Sequence, residues 1–94
     1  MRLIFSYPQM HKDQVEYTKN ILMESTNATL SVFEKGDKIL LEIFFYKTDE
    51  MYKIFEIIKK NGTIPESVIP ARFINRLFPS REEREARKYF KNGK

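Results

Sequence analysis

The chain has no cysteine and no tryptophan, and only one histidine, three glycines and four prolines in 94 residues. Without cysteine it can hold no disulfide, thiolate zinc site, iron–sulfur cluster or thiol nucleophile. A lone imidazole, His11, excludes any site built on two. The glycines, Gly36, Gly62 and Gly93, are isolated, so no glycine-rich loop is available to cradle a phosphate. Ser6, Ser25, Ser31, Ser67 and Ser80 sit in no nucleophile-elbow or triad pattern. No apolar run approaches the roughly 18 residues of a membrane span. The segment Met1–Pro8 is too short and too alternating for a signal peptide. The expectation is a soluble cytoplasmic protein with no membrane partner, no cofactor and no metal.

What is present is a folding composition. Hydrophobic residues make up 41% and charged residues 32%, which separates the chain from disordered sequences. At this length one modest core is available, burying roughly 60–65% of the unfolded surface. The charge is distributed unevenly. Residues 1–69 carry nine basic and ten acidic side chains, a net −1, while residues 70–94 carry eight basic and three acidic, a net +5. The first segment holds one Arg and eight Lys; the second holds five Arg and three Lys. Arg presents a planar fork suited to phosphate and carboxylate, whereas Lys is a point charge. The division expected is a core over 1–69 and a basic helical extension of the same domain over 70–94.

Leu3–Tyr7 alternates as a strand that Pro8 ends. From about Met10 to Glu24 a helical period follows, with Val15, Tyr17, Thr18, Ile21 and Leu22 in one stripe. Thr29–Glu34 and Lys38–Lys47 read as two strands joined at Gly36-Asp37, where glycine accepts a positive φ. In the second, Ile39, Leu41, Ile43 and Phe45 share one face, and Leu40, Glu42, Phe44 and Tyr46 the other. Thr48 is the expected N-cap of a second helix. Asp49 and Glu50 lie in its first turn, Lys59 and Lys60 in its last, and Met51, Ile54, Phe55 and Ile58 form its buried stripe. Between Thr63 and Pro79 the pattern is irregular, with Pro70 placed to open a short helix carrying Phe73, Ile74 and Leu77. Ser80-Arg81-Glu82-Glu83 matches a capping box and opens a last helix to about Lys91, expected to be exposed and to fray. The order predicts an α+β, two-layer β-α-β-β-α fold with a three-stranded antiparallel-type sheet and two short C-terminal helices.

The chemistry points to binding. His11 alone is a candidate general base, and no partner for it is evident. Asp49-Glu50 and Glu82-Glu83 are accounted for by helix dipoles. The reading is non-enzymatic. In the last helix Arg81, Arg84, Lys88 and Lys91 recur at i, i+3, i+7 and i+10, one face, with Arg87 beside them. Such a face suits phosphates, because each contact releases condensed counterions. Arg72 and Arg76 extend the set. Tyr89 and Phe90, interleaved with Arg87, Lys88 and Lys91, are candidate stacking groups. The competing account of the stripe is a solvated face with pairs such as Glu83–Arg87 and Glu85–Arg81, each worth about 0.3–0.5 kcal/mol. The leading expectation is nucleic acid, RNA or DNA, as partner, with an acidic protein surface second.

The alternative is a protein-interaction subunit or inhibitor. Leu40, Phe44 and Tyr46 make the second sheet face too apolar to be left wet, and a small sheet leaves open edges that invite pairing of two copies, so a homodimer is expected. Over about residues 2–61 the β-α-β-β-α order resembles the small dimerisation subunit of the KEOPS tRNA-modification complex. That family implies an Arg and an Asn within the second helix, and Met51–Lys60 contains neither. A small viral protein that blocks a host factor fits the same features.

Overall fold

The computed structural model describes residues 1–69 and 80–90. Strand β1 (Arg2–Pro8) leads through one 3₁₀ turn (Gln9–His11) into helix α1 (Lys12–Ser25). Strands β2 (Thr29–Lys35) and β3 (Lys38–Phe44) form a hairpin, followed by helix α2 (Thr48–Lys60), strand β4 (Ser67–Ile69) and helix α3 (Arg81–Tyr89). The class is α+β, as expected, but the sheet has four strands in the order β2-β3-β1-β4, every neighbouring pair antiparallel.

The hairpin closes on Lys35 and Lys38 with Gly36 at φ +62°, a conformation that costs glycine nothing and strains an L side chain. On β3, Ile39, Leu41, Ile43 and the following Phe45 are buried on the helix side, as the alternation predicts. Leu3, Phe5 and Tyr7 of β1 and Val68 of β4 join them. α1 lies over β2 and β3, α3 over β4 and β1, and α2 between the two helices. Gln14 Nε2 donates to the Asn61 carbonyl and the Asn27 amide donates to Glu50, so α1 and α2 run antiparallel. Each fully buried Leu, Ile or Phe in this core contributes about 1.5–3 kcal/mol.

Three expectations need correction. The fourth strand arises inside the stretch read as irregular. Ser67-Val68-Ile69 is too short to show a period, and its pairing depends on partners far away in sequence. The Glu66 amide donates to the Ser6 carbonyl (2.8 Å), Tyr7 Oη donates to the Thr63 carbonyl (3.0 Å), and Lys38 pairs with Glu66 (2.6 Å). In α1 only Val15, Thr18 and Leu22 are buried; Tyr17 lies on the far flank of that stripe and is exposed. α2 begins at Thr48 itself, with Lys47 as N-cap and no side-chain cap bond. The short helix expected after Pro70 lies outside the described residues.

Candidate nucleic-acid interface

α3 is built to stay helical. Ser80 Oγ accepts from the Glu83 amide (3.1 Å), and the Glu83 carboxylate accepts from the Ser80 amide (3.2 Å), the reciprocal pair that the S-x-x-E spacing predicts. Two first-turn acids and two last-turn bases complement its dipole.

The helix is docked rather than loose. Ala86 is fully buried and Glu83 is 1% exposed. Phe90, just past the helix, meets Phe5 edge-on at 5.5 Å and Phe55 at 5.2 Å, and Tyr89 lies 5.1 Å from Phe55. The seam with α2 is polar and reciprocal. Tyr52 Oη donates to Glu85 (2.9 Å), and Tyr89 Oη donates to Glu56. Each helix thus supplies one Tyr and one Glu four residues apart, and the matched pairs show the two helices running parallel. These bonds raise both phenols above the ordinary tyrosine range. Lys59 sits 5.5 Å over the Tyr89 ring.

This docking sorts the charges. Arg81, Arg84, Arg87 and Lys88 are all exposed. Glu83 is buried in the cap, and Glu85, half-buried, accepts from Tyr52 at the seam with α2. Arg87 also reaches the Val68 carbonyl on β4 (3.3 Å), which fixes its guanidinium near the strand. The structure therefore places four of the side chains expected to contact phosphate, Arg81, Arg84, Arg87 and Lys88, on one side of α3. Arg72, Arg76 and Lys91 lie outside the described residues.

Tyr89 and Phe90 are placed differently from the expectation. Their rings are taken up by Phe5 and Phe55 and are not presented for base stacking. The physical reason is that the sheet face over Phe5 needs covering, and these are the large apolar side chains the end of α3 brings to it. Tyr52, expected from sequence as an exposed stacking group, instead bonds Glu85, and Lys59, expected only to complement the α2 dipole, covers the Tyr89 ring; their part in holding α3 was not foreseen. The matched spacing Tyr52–Glu56 and Glu85–Tyr89 was the available signal.

The set Leu40, Phe44 and Tyr46 does not form one open strip. Leu40 is only 4% exposed, and Phe44, at 40%, lies under the Arg2 guanidinium at 5.4 Å. Tyr46, 77% exposed, stands beyond the end of β3 and lines an open cleft of about 310 Å³ with Asn27, Lys47, Asp49, Glu50 and Lys53. His11 is exposed at the start of α1. Among the described residues no group of three or more His, Asp or Glu is arranged to hold a metal ion, and no helix is long and apolar enough to cross a membrane.

No known protein family, no curated protein and no solved structure matches the chain.

Proposed function

We propose that this chain is a small non-enzymatic nucleic-acid-binding module that contacts the phosphate backbone through the outer face of α3. The observation that carries this reading is the density of exposed cations on one side of α3, Arg81, Arg84, Arg87 and Lys88, while Glu83 is buried in the cap and Glu85 accepts from Tyr52 at the α2 seam. A docked helix holds the stems of its cations at helical spacing, so little backbone order has to be gained on binding. Arg72, Arg76 and Lys91, from the same basic segment, extend the footprint. Contact is to phosphates and not to base edges, so preference among sequences is weak.

The test is fluorescence anisotropy of labelled mixed-sequence RNA and duplex DNA at a series of salt concentrations. The affinity is expected to fall steeply with salt, with a log–log slope near about −0.9 for each duplex phosphate neutralised. The double reversal Arg84→Glu/Lys88→Glu is expected to lower affinity by more than an order of magnitude while leaving the circular dichroism spectrum unchanged. Affinity that is flat with salt, or indifferent to the reversal, overturns the proposal. Binding of the same face to an acidic protein instead of nucleic acid is the outcome that would move the chain to the protein-interaction class.

A further inference from the structure

The two edges of the sheet differ. β4 is three residues long, and its Val68 carbonyl already accepts from Arg87. β2 is seven residues long and lies at the other end of the strand order. We propose that β2 is a dimerisation edge: two copies of the chain pair β2 with β2 antiparallel about a two-fold axis at Val32, joining their sheets into one of eight strands.

The ladder with β3 decides which groups are free. Lys35 and Lys38 close the two-residue turn, so they form a hydrogen-bonded pair, and Phe33, Ser31 and Thr29 follow as the alternate bonded positions. The amides and carbonyls of Leu30, Val32 and Glu34 therefore point away from β3, along the open edge. Among the described residues, no turn, loop or side chain hydrogen-bonds to the main chain of Leu30 or Val32. The devices that normally blunt an edge are missing from its centre. The register runs unbroken from Thr29 to Lys35, with no bulge and no proline, and Thr29–Phe33 carries no charge.

A second copy fits this edge. With Val32 opposite Val32, Leu30 meets Glu34, Ser31 meets Phe33 and Thr29 meets Lys35, so no like charges oppose each other. All seven residues pair, and the outward groups of Leu30, Val32 and Glu34 find partners in their counterparts. Phe33, 40% exposed on the outer face, becomes a diagonal neighbour of its own copy, a contact aromatic rings can span. The rim of α1 above this edge is already neutralised: Lys12 pairs with Glu34 (2.8 Å) and Lys19 with Glu16 (3.6 Å). Two such rims can approach without net repulsion.

Sedimentation equilibrium of the full chain across the micromolar range tests this. The expected mass is twice the 11.3 kDa of one chain. Val32→Pro removes an amide that points outward and leaves the β2–β3 ladder intact, as proline on an edge strand does. It is expected to give a folded monomer, and Phe33→Lys to weaken the dimer. Should Val32→Pro fail to fold, hydrogen exchange on the unaltered chain decides: the Val32 amide is expected to be protected, increasingly so with concentration. A wild-type monomer, a Val32→Pro dimer, or a Val32 amide that exchanges freely at every concentration overturns the proposal. The outcome is independent of nucleic-acid binding by α3, which lies at the opposite end of the sheet.

Discussion

Tyr89 on α3 donates its hydroxyl to the Glu56 carboxylate on α2. Tyr52 returns the same kind of bond from α2 to Glu85, so the two helices are held at two points one turn apart. Beneath this polar seam, Phe90 rests on Phe5 and Phe55.

The two layers of that contact are expected to differ in strength. Tyr89→Phe removes one exposed hydrogen bond and is expected to cost about 0.5–1 kcal/mol. Phe90→Ala removes a half-buried ring packed against the core and is expected to cost more, about 2 kcal/mol. Urea denaturation of the three proteins checks both values. Equal losses would show that the exposed bond holds α3 as strongly as the Phe90 ring does.

Ser80→Ala deletes the side-chain half of the capping box. The expected loss is about 1 kcal/mol, concentrated in α3. Hydrogen exchange should show the amides of the first turn of α3 opening faster while those of β1 and β3 are unchanged. Affinity for nucleic acid should fall with it, because the cations of α3 would lose their helical spacing.

Thr18 and Thr63 share a buried hydroxyl–hydroxyl bond of 2.6 Å that ties α1 to the segment after α2. Either Thr→Val change alone strands the other hydroxyl and is expected to cost about 1–3 kcal/mol. The double change Thr18→Val/Thr63→Val removes both polar groups and is expected to cost less than the two singles together. Thermal melts of the four proteins complete the cycle.

Alkali is expected to unfold the chain early. Burial raises Tyr7, and bonds to carboxylates raise Tyr52 and Tyr89. A group raised in the folded state stabilises the fold fully below its unfolded pKa, near about 10 for tyrosine, and that stability is lost as pH climbs toward the folded value. The melting temperature should therefore be level near neutrality and drop above about pH 10. Tyr7→Phe should flatten part of that drop. It should also cost about 1 kcal/mol at neutral pH, because the Thr63 carbonyl loses its donor. A melting temperature indifferent to alkali would contradict the burial of Tyr7.

Much of the fold is local and could be read from the chain. The β2–β3 hairpin follows from alternation and from Gly36; the buried stripe of α2 follows from Met51, Ile54, Phe55 and Ile58; the start of α3 follows from Ser80 and Glu83. Each rests on residues close together in sequence, where period, turn conformation and capping act without help from the rest of the molecule. The basic stripe of α3 was legible for the same reason, since 100° per residue fixes which side chains share a face.

What tertiary structure decided is which faces meet water. Ser67-Val68-Ile69 becomes a strand only because Ile4, Phe5 and Ser6 lie beside it. Tyr89 and Phe90 carry the same amphipathic chemistry whether they stack on a base or on Phe55, and packing of α3 over β1 turns them inward. Leu40 and Tyr46 share an alternation face, yet one is buried and the other stands free past the end of β3. Sequence determined the hairpin, the long helices and their charge because local sterics and periodicity act over a few residues. The burial of each face was left to contacts between residues far apart in the chain, whose free energy exists only once the helices are laid across the sheet.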